Sequence, residues 1–504
     1  MGRMAMKERV LLFLIITCLT LFIYWFQSYT QWGLAILVGL MALYALGSNL
    51  ANTIRNRKML KNPPVINQNY KPFVTVMIPA HNEESVITNT VENILSMDYP
   101  NFEIIVIDDR STDNTASVIK DLEMKHPRVM ALVRDKEAFP GKSAVLNDAL
   151  KFAKGEAVLV FDADATVEPN FLAKLVPSLE PKDVGAVQAR KVIRNKDVNF
   201  LTKCQNNEYT IDTHCQVGRD AVKGAVELRG NGELIKRTAL DDIGGWNNYT
   251  ITDDLDMSTR LHINGWDIRF CPDVCVYEEG VIYLFPLFKQ RRRWLEGTIR
   301  RYLEYCGAVL TSKKMSLRAS LDMTAYISEF ITPAWFIIEL AIVAFKFLVR
   351  DASPHIWFSS IIMGGVIGIG FIAAARYALR VYDHMSRIEA LLEAVKTSVY
   401  LFIIWFPLVL LIGCKILFTK KNMNWGKTTH GLVRSEHALI KARENLRIAQ
   451  EKAEESLRLA KERAEENLRA VQAKAEENLK SVKCKAEENL NAAKEKIRII
   501  LKNR

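Results

Sequence analysis

AVLVFDADA, residues 157–165, is the stretch that decides the fold. An unbroken apolar run closes on Asp162 and Asp164, the pattern of a strand buried on both faces whose carboxyl end opens onto a crevice. Outward from it, FVTVMIP (73–79) and EIIVIDD (103–109) repeat the pattern, with helical periodicity between them. Residues 72–305 therefore read as a soluble α/β domain with its acids on the crevice rim. DDRSTDNT, residues 108–115, has no glycine to let a pyrophosphate approach the backbone, which argues against a dinucleotide-binding Rossmann domain.

The flanks belong to other solvents. The chain has 504 residues, 49% hydrophobic and 25% charged, with 68 Lys+Arg against 57 Asp+Glu and a net charge of +11. Mean hydropathy is +0.01. That average hides apolar runs at 10–26 and 32–51, which within residues 1–62 read as a transmembrane hairpin. A cleaved signal peptide is the rival for the first run, but no small-residue cleavage site follows Phe26. Arg3, Lys7 and Arg9 precede the hairpin and Arg55, Arg57, Lys58 and Lys61 follow it, placing both ends and the α/β domain in the cytoplasm. Further runs at 325–349, 356–375 and 399–418 make residues 319–418 a second membrane region. Three spans would carry the C-terminus outside, whereas Lys415, Lys420, Lys421 and Lys427 favour inside. One segment, that with Glu329, Pro333 and Glu339, is then interfacial, re-entrant or a hairpin. The eight cysteines are too sparse for a disulfide scaffold and read as reduced; Cys271 and Cys275 lack partners for a zinc set.

Residues 419–440 read as a cytoplasmic loop and 441–504 as a charged tail of eleven-residue repeats, with Leu446, Leu457, Leu468, Leu479 and Leu490 in phase. The stripe returns every ~3.67 residues, which suits a straight or right-handed supercoiled helix. Lying on a membrane, self-association and a solvated helix all fit. The tail's 17 Lys+Arg and 12 Asp+Glu are interleaved, so nucleic acid is not an expected partner.

Within the α/β domain each polar cluster has an ordinary and a chemical reading. Asp162 and Asp164 are a solvated loop, or hard ligands for Mg²⁺, with Mn²⁺ the alternative, shared with nucleotide phosphates. His81-Asn82-Glu83 and Asp108-Asp109 end strands and offer acceptors to a base and ribose. Gly141-Lys142-Ser143 is a turn with an exposed lysine, or a cation and helix amides for a diphosphate. Thr252-Asp253-Asp254 is an N-cap, or a carboxylate able to deprotonate an acceptor hydroxyl. Gln290-Arg-Arg-Arg293-Trp294, in an amphipathic stretch, is an interfacial helix, or an anion-neutralising arginine beside an aromatic wall.

Together PAHNE (79–83), VIDDRSTD (106–113), GKSAVLN (141–147), FDADA (161–165), TDD (252–254) and QRRRW (290–294) resemble the membrane-integrated glycosyltransferases of family 2, with TDD replacing the commoner T-E-D. VGAVQARK (184–191), ELRGNGELIKR (227–237), GGWNNYTITDDLDMSTRLH (244–262), EEGV (278–281) and WGKTTHG (425–431) narrow the resemblance to cyanobacterial enzymes that glucosylate diacylglycerol. The resemblance implies a GT-A catalytic domain that transfers glucose from UDP-glucose to the 3-hydroxyl of 1,2-diacylglycerol with inversion. Asn82, Glu83 and Asp109 would hold the uridine part, Lys142 the base or diphosphate side, and Asp164 with Asp162 the metal. Asp254, next to Asp253, would be the base; Arg293, with Gln290 and Trp294 of the same motif, would stabilise departing UDP and wall the acceptor. It further implies a multi-pass protein of the thylakoid or plasma membrane, whose basic surface attracts anionic lipids. A processive polysaccharide synthase shares these motifs and is the alternative enzyme; a membrane-anchored scaffold working through its tail is the non-enzymatic one. The repeats depart from the family pattern and inherit no function from it. Deleting residues 441–504 is predicted to leave the rate of sugar transfer per molecule unchanged while altering membrane distribution or self-association, measured by turnover alongside sedimentation.

Overall fold

Ile104 and Val106 of one strand face one hydrophobic core, and Ile105 and Ile107 face another, so the continuous apolar run is buried on both sides of a sheet. The computed structural model describes residues 69–326 and 354–419, together with short pieces such as 10–15 and 54–55. Most of the apolar runs at 10–26, 32–51 and 325–349, the WGKTTHG loop and the repeats lie outside the described residues. By contact the chain divides into two units, Met1–Gly431 and Leu432–Arg504.

The first unit runs β1 (Val74–Ala80), α1 (Ile87–Leu95), β2 (Phe102–Asp108), α2 (Thr115–Lys125), β3 (Val129–Val133), α3 (Lys142–Leu150), β4 (Ala157–Val160), β5 (Thr166–Val167) and α4 (Phe171–Leu175). It continues through β6 (Val184–Ile193), α5 (Phe200–Ala221), β7 (Glu233–Lys236), α6 (Arg237–Ile243), α7 (Asp253–Ile263), β8 (Asp267–Glu278) and α8 (Leu284–Thr311). After these come α9 (Leu317–Tyr326), α10 (Pro354–Tyr382) and α11 (Arg387–Phe418).

The eight strands form one sheet in the order β3-β2-β1-β4-β7-β6-β8-β5. Strands β1 to β4 pair in parallel, as their continuous apolar runs require. β7 runs antiparallel to β4 and β6, which makes the second half mixed. Because β4 ends at Val160, Asp162 and Asp164 fall in the loop beyond it, level with the loops after β1 and β2.

α8 is placed by one close approach. A Cβ on Gly297 would lie 2.4 Å from Thr252 Cγ2, so only glycine lets this helix press onto the start of α7. Its other side packs Leu287, Leu295, Ile299 and Leu303 against Tyr400, Ile404, Leu408 and Ile412 of α11. Among the described residues, α11 is the helix long and apolar enough to cross a membrane. It begins at Arg387, earlier than the apolar run at 399, because Ser386 and Glu389 form a capping box: Ser386 Oγ accepts from the Glu389 amide at 3.3 Å, and Glu389 Oε2 accepts from the Ser386 amide at 3.4 Å. The run at 356–375 lies inside α10.

Gly297→Val is expected to lower stability by about 1–3 kcal/mol through overpacking against Thr252. Gly307→Ala, in the same helix with nothing within 4 Å, should leave the melting temperature unchanged or raise it. Thermal unfolding of the two detergent-solubilised variants checks the pair.

Candidate active site

The loops after β1 and β2 are stitched into one platform. Asn82, at φ +56, accepts on its side-chain oxygen from the Thr112 amide at 2.6 Å and hydroxyl at 3.2 Å, while its own amide donates to Ser111 Oγ at 2.8 Å. The Glu83 amide donates to Thr115 Oγ1 at 2.8 Å, which draws that side of the platform inward. Asp109 is buried and takes Arg110 at 2.8 and 3.0 Å and Arg134 at 2.6 Å. The residues expected at the uridine are therefore brought together, and Arg134 is an addition that the motifs did not announce.

Gly141, at φ +109, turns the chain into α3 and sends Lys142 across the crevice. Lys142 Nζ donates to Asp162 Oδ1 at 2.7 Å and to the Gly230 carbonyl at 2.8 Å, and lies 3.9 Å from Asp253 Oδ2. Burial opposes its charge, but Asp162, Asp253 and Glu233 outweigh that and raise its pKa. Asp164 is buried, and its Oδ2 accepts from the Glu279 amide at 3.0 Å. Two hard carboxylates at one loop suit a divalent cation. Among the described residues no third His, Cys, Asp or Glu completes a set, so the fit requires phosphate oxygens from a nucleotide.

Asp253 and Asp254 open α7. Thr252 takes the N-cap position, but its hydroxyl makes no capping bond and has no partner among the described residues, so side-chain capping by Thr252 does not account for the motif. The loop carbonyl that binds Lys142 belongs to Gly230, at φ +77, where a Cβ would meet Asp254 Oδ2 at 3.2 Å. Burial, then the neighbouring Asp253 charge, push the Asp254 carboxyl up to about 6 against the Leu255 amide, Lys142 and Arg229. A general base tuned to that value is ionised at neutral pH and still basic enough to accept a proton.

In QRRRW the three arginines divide. Arg291 is fully buried, donates to Glu208 Oε2 at 2.8 Å and to Gln290 Oε1 at 2.7 Å, and lies 4.1 Å from the Trp294 ring centre. Arg292 is exposed. Arg293 is half-buried and has no ion pair or hydrogen bond among the described residues, which leaves its guanidinium available to an anion. Gln290 thus acts on Arg291, and Arg291 stacks on Trp294.

The sequence profile described as glycosyltransferase like family 2 matches residues 71–297. A beta-monoglucosyldiacylglycerol synthase of Nostoc sp. is 35% identical over 415 residues, covering 79% of this chain and 84% of that protein. The chain belongs to glycosyltransferase family 2. This glycosyltransferase is also 32% identical over 247 residues to a poly-beta-1,6-N-acetyl-D-glucosamine synthase of Staphylococcus epidermidis, covering 48% of the chain and 59% of that protein. Its fold is GT-A-like: a mannosyltransferase of Pyrobaculum calidifontis, solved in complex with GDP-Man and Mn²⁺, superposes with a TM-score of 0.50 at 23% identity, covering 77% of this chain and 99% of that one.

Glu233, Lys191 and Glu278 stand outside the six motifs, within ELRGNGELIKR, VGAVQARK and EEGV. Glu233 is wholly buried, and neither carboxyl oxygen has a hydrogen-bond partner among the described residues. Burial, then Asp253, raise its pKa well above the usual carboxylate range, against the pull of Lys142. An acid between two glycines and an apolar strand was the available signal.

The glycosyltransferase's kcat/KM is predicted to fall about tenfold per pH unit below about pH 6, as Asp254 becomes protonated and ceases to be a base. Asp253→Asn removes the neighbouring negative charge and should move that acid limb to lower pH. A pH–rate profile of the two proteins is the measurement.

Proposed function

We propose that this enzyme transfers glucose from UDP-glucose to the 3-hydroxyl of 1,2-diacylglycerol with inversion, giving β-monoglucosyldiacylglycerol and UDP. The observation that carries the lipid acceptor is the extent of the likeness to the Nostoc synthase. Its 415 aligned residues run well beyond the catalytic segment 71–297, whereas the polymer synthase aligns over 247. An acceptor that never leaves the bilayer also suits a site whose α8 is clamped to an apolar helix.

Asp254 takes the proton from the acceptor hydroxyl as its oxygen bonds to the anomeric carbon, opposite the breaking bond to UDP. One displacement inverts the centre. Asn82, Glu83 and Asp109 hold the uridine side. Lys142 and the first amides of α3 face the diphosphate, and Arg293 meets the charge developing on the leaving group. Asp164 and Asp162 would hold Mg²⁺, or Mn²⁺, which supplies neutralisation of the diphosphate when bound. Trp294 walls the acceptor side. In this reading the protein is a multi-pass membrane protein with its catalytic domain at the cytoplasmic face of a thylakoid or plasma membrane, where basic residues attract anionic lipid.

Labelled UDP-glucose, supplied with and without diacylglycerol vesicles, tests the acceptor. A single glucolipid that depends on diacylglycerol is expected; a solvent-insoluble polymer formed without lipid overturns the reading. Asp254→Asn is predicted to reduce kcat by about 10²–10⁴ with little change in the KM for UDP-glucose.

A further inference from the structure

The strand order lays out the crevice as a sequence of subsites. The loops after β2 and β1 carry Asp109 and Asn82, the loop after β4 carries Asp162 and Asp164, and the loop before β7 carries Gly230 against Asp254. The next strands, β6 and β8, bring in Lys191 and Glu278, which neither the uridine nor the diphosphate accounts for.

Lys191 is largely enclosed, with a side-chain exposure of 11%, and pairs with Glu278 Oε2 at 2.9 Å. Its Nζ also donates to the Arg229 carbonyl at 3.3 Å. It lies 4.9 Å from the Tyr209 ring centre and 5.8 Å from that of Trp294, within reach of both faces. Glu278 is held in turn by Tyr209 Oη, which donates at 2.7 Å, and by Asn231 Nδ2 at 3.1 Å. Burial works against the ammonium, but Glu278, then Asp162, the hydrogen bond to Glu278 and Asp254, raise its pKa overall. The cation thus stands between the diphosphate acids, the base and the aromatic wall.

We propose that Lys191 and Glu278, held by Tyr209, form the subsite that reads the hydroxyls of the donor hexose. The inference rests on the nucleotide-sugar reading above and deepens it. A sugar linked to a diphosphate at Asp162 and attacked at its anomeric carbon beside Asp254 lies on the β6–β8 side of that carboxylate. There it meets a fixed donor, a fixed acceptor and aromatic faces for its C–H groups. A rigid, charged donor–acceptor pair discriminates between epimers, because a misplaced hydroxyl leaves a buried charge unsatisfied.

The test compares binding of UDP, UDP-glucose and UDP-galactose to the full-length protein in detergent or nanodiscs by calorimetry. Lys191→Gln should weaken UDP-glucose by about tenfold or more, change UDP by less than about twofold and narrow the preference between the two hexoses. Retained UDP affinity is itself the check on folding. Tyr209→Phe, which keeps the ring and removes the donor to Glu278, should weaken UDP-glucose by about threefold with UDP again unchanged; it decides the matter if Lys191→Gln does not fold. Equal losses for UDP and UDP-glucose in Tyr209→Phe, or no loss for either ligand in Lys191→Gln, overturn the subsite assignment alone. A wild-type protein that binds neither ligand overturns the nucleotide-sugar reading and this inference with it.

Discussion

Lys142 is the contact on which the catalytic crevice depends. Its ammonium joins Asp162 from the loop after β4, the Gly230 carbonyl from the loop before β7, and Asp253 at the start of α7. Without a buried cation there, Asp162, Asp253, Asp254 and Glu233 would crowd like charges into a low-dielectric space, and the carboxyls would take up protons. One lysine pairs with Asp162 and, with Arg229, restrains the rise of the Asp254 pKa to about 6. Glu233, which it does not bond, is left with its pKa raised by burial and by the neighbouring carboxylates.

A second node ties this crevice to the helices around it. Glu227, wholly buried, accepts Arg301 of α8 at 2.8 Å and Arg229 at 2.9 Å, with Arg219 of α5 at 3.2 Å. Burial would raise its pKa, but the three guanidinium groups hold it far below the usual range. Arg219 continues to Asp322 of α9 at 2.7 Å. Glu208 of α5 plays a parallel part, receiving Arg291 at 2.8 Å, Trp405 Nε1 at 3.1 Å and Tyr400 Oη at 3.3 Å. Through these nodes the apolar α11 and the catalytic helices share buried polar contacts. Breaking one partner would strand a charge, so the elements are held in one arrangement.

The two ends of the crevice differ in kind. At the β1–β2 end, backbone amides and short polar side chains close on one another, as at Asn82 and Thr112, and make a rigid platform. At the β6–β8 end, long charged side chains and aromatic rings meet, as at Lys191, Tyr209 and Trp294. The first suits a constant part of a ligand and the second a part to be discriminated. Gly297, by admitting α8 against Thr252, seats this end beside the start of α7.

The sequence by itself determined the α/β class, the strands that end in acids, the helix opened by Lys142 and the motifs of the site. These are carried by local periodicity and by residue types at strand ends, which neighbours in the chain suffice to specify. The Ser386 and Glu389 box is a local signal too, but hydrophobicity marks only the run from 399, where α11 is already under way. It takes the packed structure to show that Arg291 is a buried strut while Arg293 has no ion pair among the described residues, that Arg134 backs Asp109, and that Lys191 meets Glu278. Each of these depends on which side chains from distant strands or helices share one buried space. Burial and pairing energies there, and not the local pattern, determine whether a charged residue holds the fold or serves the reaction.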